Sequence, residues 1–211
     1  MNIEVILAFV AVGMVSVLSP GPAVALALRN GASHGLRAAV WSSAGNVFGL
    51  FLLSTAAMAG IGALLMSSAL AFGVAKVLGA AYLIWLGIRQ WRLGVSVMPG
   101  AVAQASVQPR GRALMREGFL VALTNPKAIL FFSALFPQFL DRSAPLMPQF
   151  LILTTLFMLL SFAALNGYAA TAARTRGLIT HPRVARWAGR LFGGVFVGFG
   201  VAMLALRRPA T

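Results

Sequence analysis

Runs of about twenty apolar residues alternate along this chain with short polar stretches, a pattern that predicts membrane-spanning helices. The runs extend from about Val5 to Leu28, Ala38 to Met66, Ala69 to Ile88, Gly118 to Phe139, Pro148 to Ala173 and Leu191 to Leu206. The expected fold is an all-α polytopic membrane protein with six transmembrane helices in a single domain over residues 1–211. The connections are brief, with Asn30-Gly31 and His34-Gly35 after the first span and Ser67-Ser68 after the second. The segment from Arg89 to Arg116, rich in Pro, Gly, Ser, Gln and Arg, is the only long one and reads as a solvated linker.

Two spans carry proline where a helix should be uninterrupted. Ser19-Pro20-Gly21-Pro22 breaks the first and Asn125-Pro126 the fourth. Proline lacks an N–H and clashes with the carbonyl four residues back, and the residue before it is pushed out of the helical region. Pro20 and Pro22 thereby free the carbonyls of Ser16 and Leu18, and Pro126 frees that of Ala122. In hydrocarbon such a group must be satisfied by protein or by a polar cavity. Free carbonyls suit an ammonium, whereas the N–H groups of helices restarting at Ala23 and Lys127 suit a carboxylate. A zwitterionic amino acid offers both.

Three features recur in order and predict two halves of three spans. Both halves open with a proline break. Their second spans hold Gly45-Asn46 and Asn166-Gly167. Their third spans read Lys76-x-x-Gly79-x-x-Tyr82-x-x-Trp85 and Arg190-x-x-Gly193-x-x-Phe196-x-x-Phe199. Three is odd, so the halves, about 1–93 and 113–208 around a linker of about 94–112, would lie inverted in the membrane. Inverted repeats with matched broken helices mark transporters, with the site where the breaks meet. Two pairings are open: similar depth puts Pro20 beside Pro126, and strict inversion puts it beside Pro137. On the second span, Ser42, Gly45, Asn46 and Gly49 form a small, polar stripe that predicts close approach of another helix.

Composition then narrows the function. With 60% hydrophobic and 9% charged residues, the net charge of +14 is topology signal and not a nucleic-acid footprint. Twelve of the basic residues fall in the connections after spans 1, 3 and 5, which predicts those loops cytoplasmic and both termini periplasmic. A cleaved signal peptide is not expected, because Glu4 stands where a basic n-region would be. Only two of the seventeen basic residues are lysine, Lys76 and Lys127, and both lie within apolar spans. A mid-membrane charge costs at least about 2.5 kcal/mol on insertion scales, so each is a functional candidate, with snorkelling as the bland alternative. Glu4, Glu117 and Asp141, the only acids, sit at span ends, which disfavours a cationic cargo or a divalent metal. The chain contains no cysteine, and with two histidines in loops no metal site or cofactor is expected.

The residues Ser19-Pro20-Gly21-Pro22, Lys76 to Leu83 with Gly87, Asn125-Pro126-Lys127, Phe131-Phe132 and Pro137-Gln138-Phe139 resemble the lysine exporter / homoserine–threonine exporter (LysE/RhtB) family. The resemblance covers nearly the whole chain outside the Gly94–Arg112 linker. It implies a bacterial inner-membrane secondary transporter that exports amino acids, driven by protons.

The reading favoured by the residues themselves is export of a neutral amino acid or derivative. The substrate-binding candidates are Ser19, Pro20, Gly21, Pro22, Asn46, Lys76, Tyr82, Asn125, Pro126, Lys127 and Asn166. The expected partners are the amino acid, protons and the lipid bilayer, with self-association left open. Export of a cationic amino acid and a non-transporting structural or regulatory subunit are the alternatives. A membrane enzyme lacks the Ser–His, Asp-pair or metal constellation it would need in the spans.

Overall fold

The computed structural model describes residues 1–19, 21–67, 109–141 and 143–175. It also describes residues 77, 80, 81, 84, 85, 87–89, 91 and 92 of the third predicted span, and 187, 190, 191, 193, 194, 197, 198, 200, 201 and 204 around the sixth. The described elements are helical, in keeping with an all-α membrane protein.

Helix α1 (Ile3–Leu18) starts at Asn2, whose side chain accepts the Glu4 N–H, and stops where Ser19 turns extended. Helix α2 (Pro22–His34) restarts at once, with Pro22 in its first turn, and ends at Gly35. There φ is 81°, a backbone conformation that residues with a Cβ rarely adopt. The two helices bend by 57° at the break. Helix α3 (Leu36–Ser67) runs without interruption for 32 residues.

In the second half, α4 (Gly111–Thr124) and α5 (Pro126–Leu130) form the matching bent pair, and α6 (Leu146–Thr175) is the long uninterrupted helix. Between them the chain loosens to a π-turn over Phe131–Leu135 and then tightens to a 3-10 turn over Phe136–Phe139. Pro137 explains the irregularity, since it cannot donate to the carbonyl of Ser133 and would clash with it. α3 and α6 are each long and apolar enough to cross a membrane, and so is each bent pair taken as one span.

The linker gives way to helix earlier than the sequence suggested. α4 begins at Gly111, so Arg112, Arg116 and Glu117 are helical. Leu114, Gly118 and Ala122 are buried at four-residue spacing, while Arg112 and Arg116 point outward. An amphipathic face thus lies under what reads as a basic linker. In the third span, Arg89, Trp91 and Arg92, beyond Ile88, are also helical.

Small residues set the helix spacing. α4 crosses α3 on the stripe of span 2, with Gly45 against the Met115 backbone and Gly118 against that of Ser42 and Asn46. Gly49 lies against Phe119 and Ala122, so the two helices run in the same direction. Gly31 of α2 meets the backbone of Ala169 in α6 in the same fashion. In the third and sixth spans Gly87 faces Gly193 while Gly200 faces Ala80 and Ile84, a pairing that is antiparallel. Two apolar clusters result. One gathers Phe9, Phe131, Phe132, Phe136, Leu153 and Phe157, and the other Val24, Ala27, Leu28, Leu165, Ala169 and Ala172. The break between α1 and α2 lies between them.

Candidate functional site

The two breaks meet. Lys127, in the first turn of α5, reaches across to the end of α1, where its Nζ donates to the carbonyls of Ser16 at 2.7 Å and Ser19 at 2.5 Å. Of the two pairings left open by the sequence, this is the one in which Pro126, not Pro137, stands beside the first break. Ser16 and Ser19 are buried, at 3% and 0% exposure, so water competes little for either carbonyl. Gly21, the N-cap of α2, lies alongside, and a Cβ there would stand 3.5 Å from the ammonium.

The other freed acceptor of α1 is also filled. The Tyr168 hydroxyl on α6 donates to the Leu18 carbonyl at 2.6 Å. Proline at the break therefore leaves acceptors that side chains of the second half, Lys127 and Tyr168, satisfy. Tyr168→Phe removes the donor to Leu18 and is expected to cost about 0.5–2 kcal/mol. The check is the melting temperature of the purified protein in detergent. An unchanged value would mean that Leu18 does not depend on this bond.

The second break is closed on itself. The Asn125 N–H returns to the Ala122 carbonyl at 3.2 Å, so the acceptor that Pro126 was expected to free is taken by a tightened last turn. The Asn125 side chain, 3% exposed, accepts the Lys127 N–H at 3.1 Å and caps α5. By contrast the N-cap of α2 is Gly21, which has no side chain to cap the first turn. The two breaks thus contribute differently. The first presents carbonyls and uncapped N–H groups, and the second presents a cation.

Ser19, Gly21, Pro22, Asn125, Pro126 and Lys127 are brought together here. Pro20, Lys76 and Tyr82 lie outside the described residues. Asn46 is buried at the α3–α4 crossing, two turns before Asn125, and its Nδ2 has no partner among the described residues. Asn166 donates to Phe162 of its own helix at 2.8 Å, while its buried Oδ1 has no partner among the described residues. Among the described residues no cluster of His, Asp or Glu could hold a metal ion.

Sequence reasoning missed Tyr168 and an ion pair. Tyr168 is one of two tyrosines and stands in the Asn166-Gly167-Tyr168 stretch, which was a usable signal. The ion pair joins Arg29 on α2 to Glu117 on α4 at 2.5 Å, and Arg29 also donates to Asn30. It ties the two bent pairs together at the arginine-bearing end. No local pattern reveals it, because its partners lie 88 residues apart.

The model of the LysE type translocator family matches residues 14–207 of the chain. A homoserine/homoserine lactone efflux protein of Salmonella typhimurium is 40% identical over 193 residues, covering 92% of both chains. A leucine efflux protein of an Enterobacter strain is 34% identical, covering 90% of each. A membrane protein of Vibrio cholerae is 38% identical over 203 residues, 96% of this chain and 98% of its own. No solved structure matches.

Proposed function

We propose that this chain, which belongs to the LysE type translocator family, exports neutral amino acids or their derivatives across the bacterial inner membrane in exchange for protons. The observation that carries the reading is the pair of buried carbonyls at the first break, Ser16 and Ser19, already arranged around an ammonium. The amino group of a substrate would take these acceptors, and its carboxylate would face the uncapped first turn of α2. Asn46 and Asn166 would add polar contacts through amide atoms that have no partner among the described residues.

Among the described residues the Lys127 ammonium meets the Ser16 and Ser19 carbonyls and Gly21, and no carboxylate accompanies it. A cargo with a second positive charge would meet nothing to neutralise it, and the cost of an unpaired ion in this environment is several kcal/mol. A zwitterion brings its own counter-charge. The relatives named for homoserine, homoserine lactone and leucine support the same class. The antiparallel packing of spans 3 and 6 supports two inverted halves, and the arginine-bearing end is assigned to the cytoplasm.

The test is efflux from proteoliposomes loaded with labelled leucine, homoserine, lysine and arginine, each under an imposed pH gradient. Leucine or homoserine should leave at least about ten-fold faster than either cation, a discrimination worth about 1.4 kcal/mol. Efflux restricted to lysine and arginine would reject a neutral cargo, and no gradient dependence would reject proton exchange.

A further inference from the structure

We propose that Lys127 carries the coupling proton, because its ammonium occupies the acceptors that the amino group of the substrate must use. The inference rests on the exporter reading above and adds the residue and the rule of exchange. An exchanger requires that cargo and coupling ion bind alternately, never together. Here that exclusion is built into two carbonyls. Ser16 and Ser19 accept from Lys127 Nζ, both are buried, and Gly21 offers no side chain to fill the place if the ammonium withdraws.

The cycle balances. Facing the cytoplasm, Lys127 releases its proton to water as a neutral amine, and the ammonium of a zwitterion seats on the Ser16 and Ser19 carbonyls. Facing outward, the amino acid leaves, a proton from the outer solution bonds to Lys127 Nζ, and the ammonium returns to the same carbonyls. One amino acid goes out and one proton comes in. Arginine could fill the carbonyls but not perform the exchange, since a guanidinium keeps its proton under all such conditions.

Among the described residues no competing proton carrier lies within reach. Among the described residues of α1, α2 and the break between them, the Ser16 and Ser19 carbonyls and Gly21 face the amine. From α6 the titratable group is the Tyr168 hydroxyl, which is engaged by Leu18. On α4 the nearest ionisable groups are Glu117, paired with Arg29, and Arg116, both more than two turns before the break. α3 has no ionisable residue between Arg37 and its end. Lys76 and Tyr82 of the third span lie outside the described residues, so Lys76 is included in the experiment.

Wild-type, Lys127→Gln, Lys127→Arg and Lys76→Gln proteins, each confirmed as folded and inserted, are reconstituted and followed with labelled leucine and homoserine. Exchange without a gradient, gradient-driven efflux and the apparent affinity as a function of pH are measured. In wild type the affinity should fall with falling pH, approaching about ten-fold per pH unit where one proton competes. Lys127→Gln should lose that pH dependence and at least about ten-fold of gradient-driven efflux while still exchanging substrate. Lys127→Arg should bind weakly at every pH. Wild-type pH dependence in Lys127→Gln overturns the assignment, as does a folded Lys127→Gln protein that binds neither amino acid, or loss of pH dependence in Lys76→Gln instead. Wild-type vesicles that exchange neither amino acid would overturn the exporter reading itself, and the coupling with it.

Discussion

Gly118→Val protein should melt about 5–10 °C below wild type in detergent, a drop equivalent to about 2–3 kcal/mol or more. A Cβ on Gly118 would run into the Ser42 carbonyl and stand 3.0 Å from the Asn46 amide nitrogen. Both obstacles are helix backbone, which cannot rotate aside as a side chain can. Gly45 makes the reciprocal contact with the Met115 backbone, so neither helix has slack. Relief requires α3 and α4 to separate, and that would also move Asn125 and Lys127, which follow α4 directly. Gly60→Ala and Gly167→Ala are the controls. Nothing lies within 4 Å of a Cβ at either position, and both should melt close to wild type. Equal melting of Gly118→Val and these controls would mean that α3 and α4 are not in backbone contact.

Such a contact was legible before any coordinates. Ser42, Gly45, Asn46 and Gly49 repeat at helical spacing, and small residues on one face are useful in a membrane mainly by letting backbones approach. The two proline breaks were legible for a similar reason, since the missing N–H and the clash are local properties. The filling of the freed acceptors was not. Sequence shows that Ser16 and Leu18 lose their donors, but not that Lys127, 111 residues away, and Tyr168, 150 residues away, supply new ones. The start of α4 was hidden by composition. The charge of Arg112 and Arg116 dominates a segment whose burial depends on only three positions, Leu114, Gly118 and Ala122. Whether Pro126 or Pro137 faces the first break depended on helix packing, which local patterns do not encode.

Phe9→Ala should lower stability by about 3–5 kcal/mol, the range for emptying a closely packed aromatic site. The ring is 0% exposed and lies 5.9 Å from Phe131, 6.0 Å from Phe136 and 5.2 Å from Phe139, each in edge-on geometry. Phe157 of α6 closes the cluster at 6.4 Å. These rings join α1 to the irregular half of the second bent pair, whose π and 3-10 turns have weaker backbone order than an α-helix. Phe9 therefore holds in place the helix whose last turn carries Ser16 and whose C-cap is Ser19. Truncating it should loosen the approach of those carbonyls to Lys127, so efflux should fall along with the melting temperature. Phe9→Leu, which refills much of the volume, should recover most of both, and truncation of the exposed Met147 (59% accessible) should change neither. If Phe9→Ala loses stability yet transports at the wild-type rate, the aromatic cluster supports the fold without positioning the site.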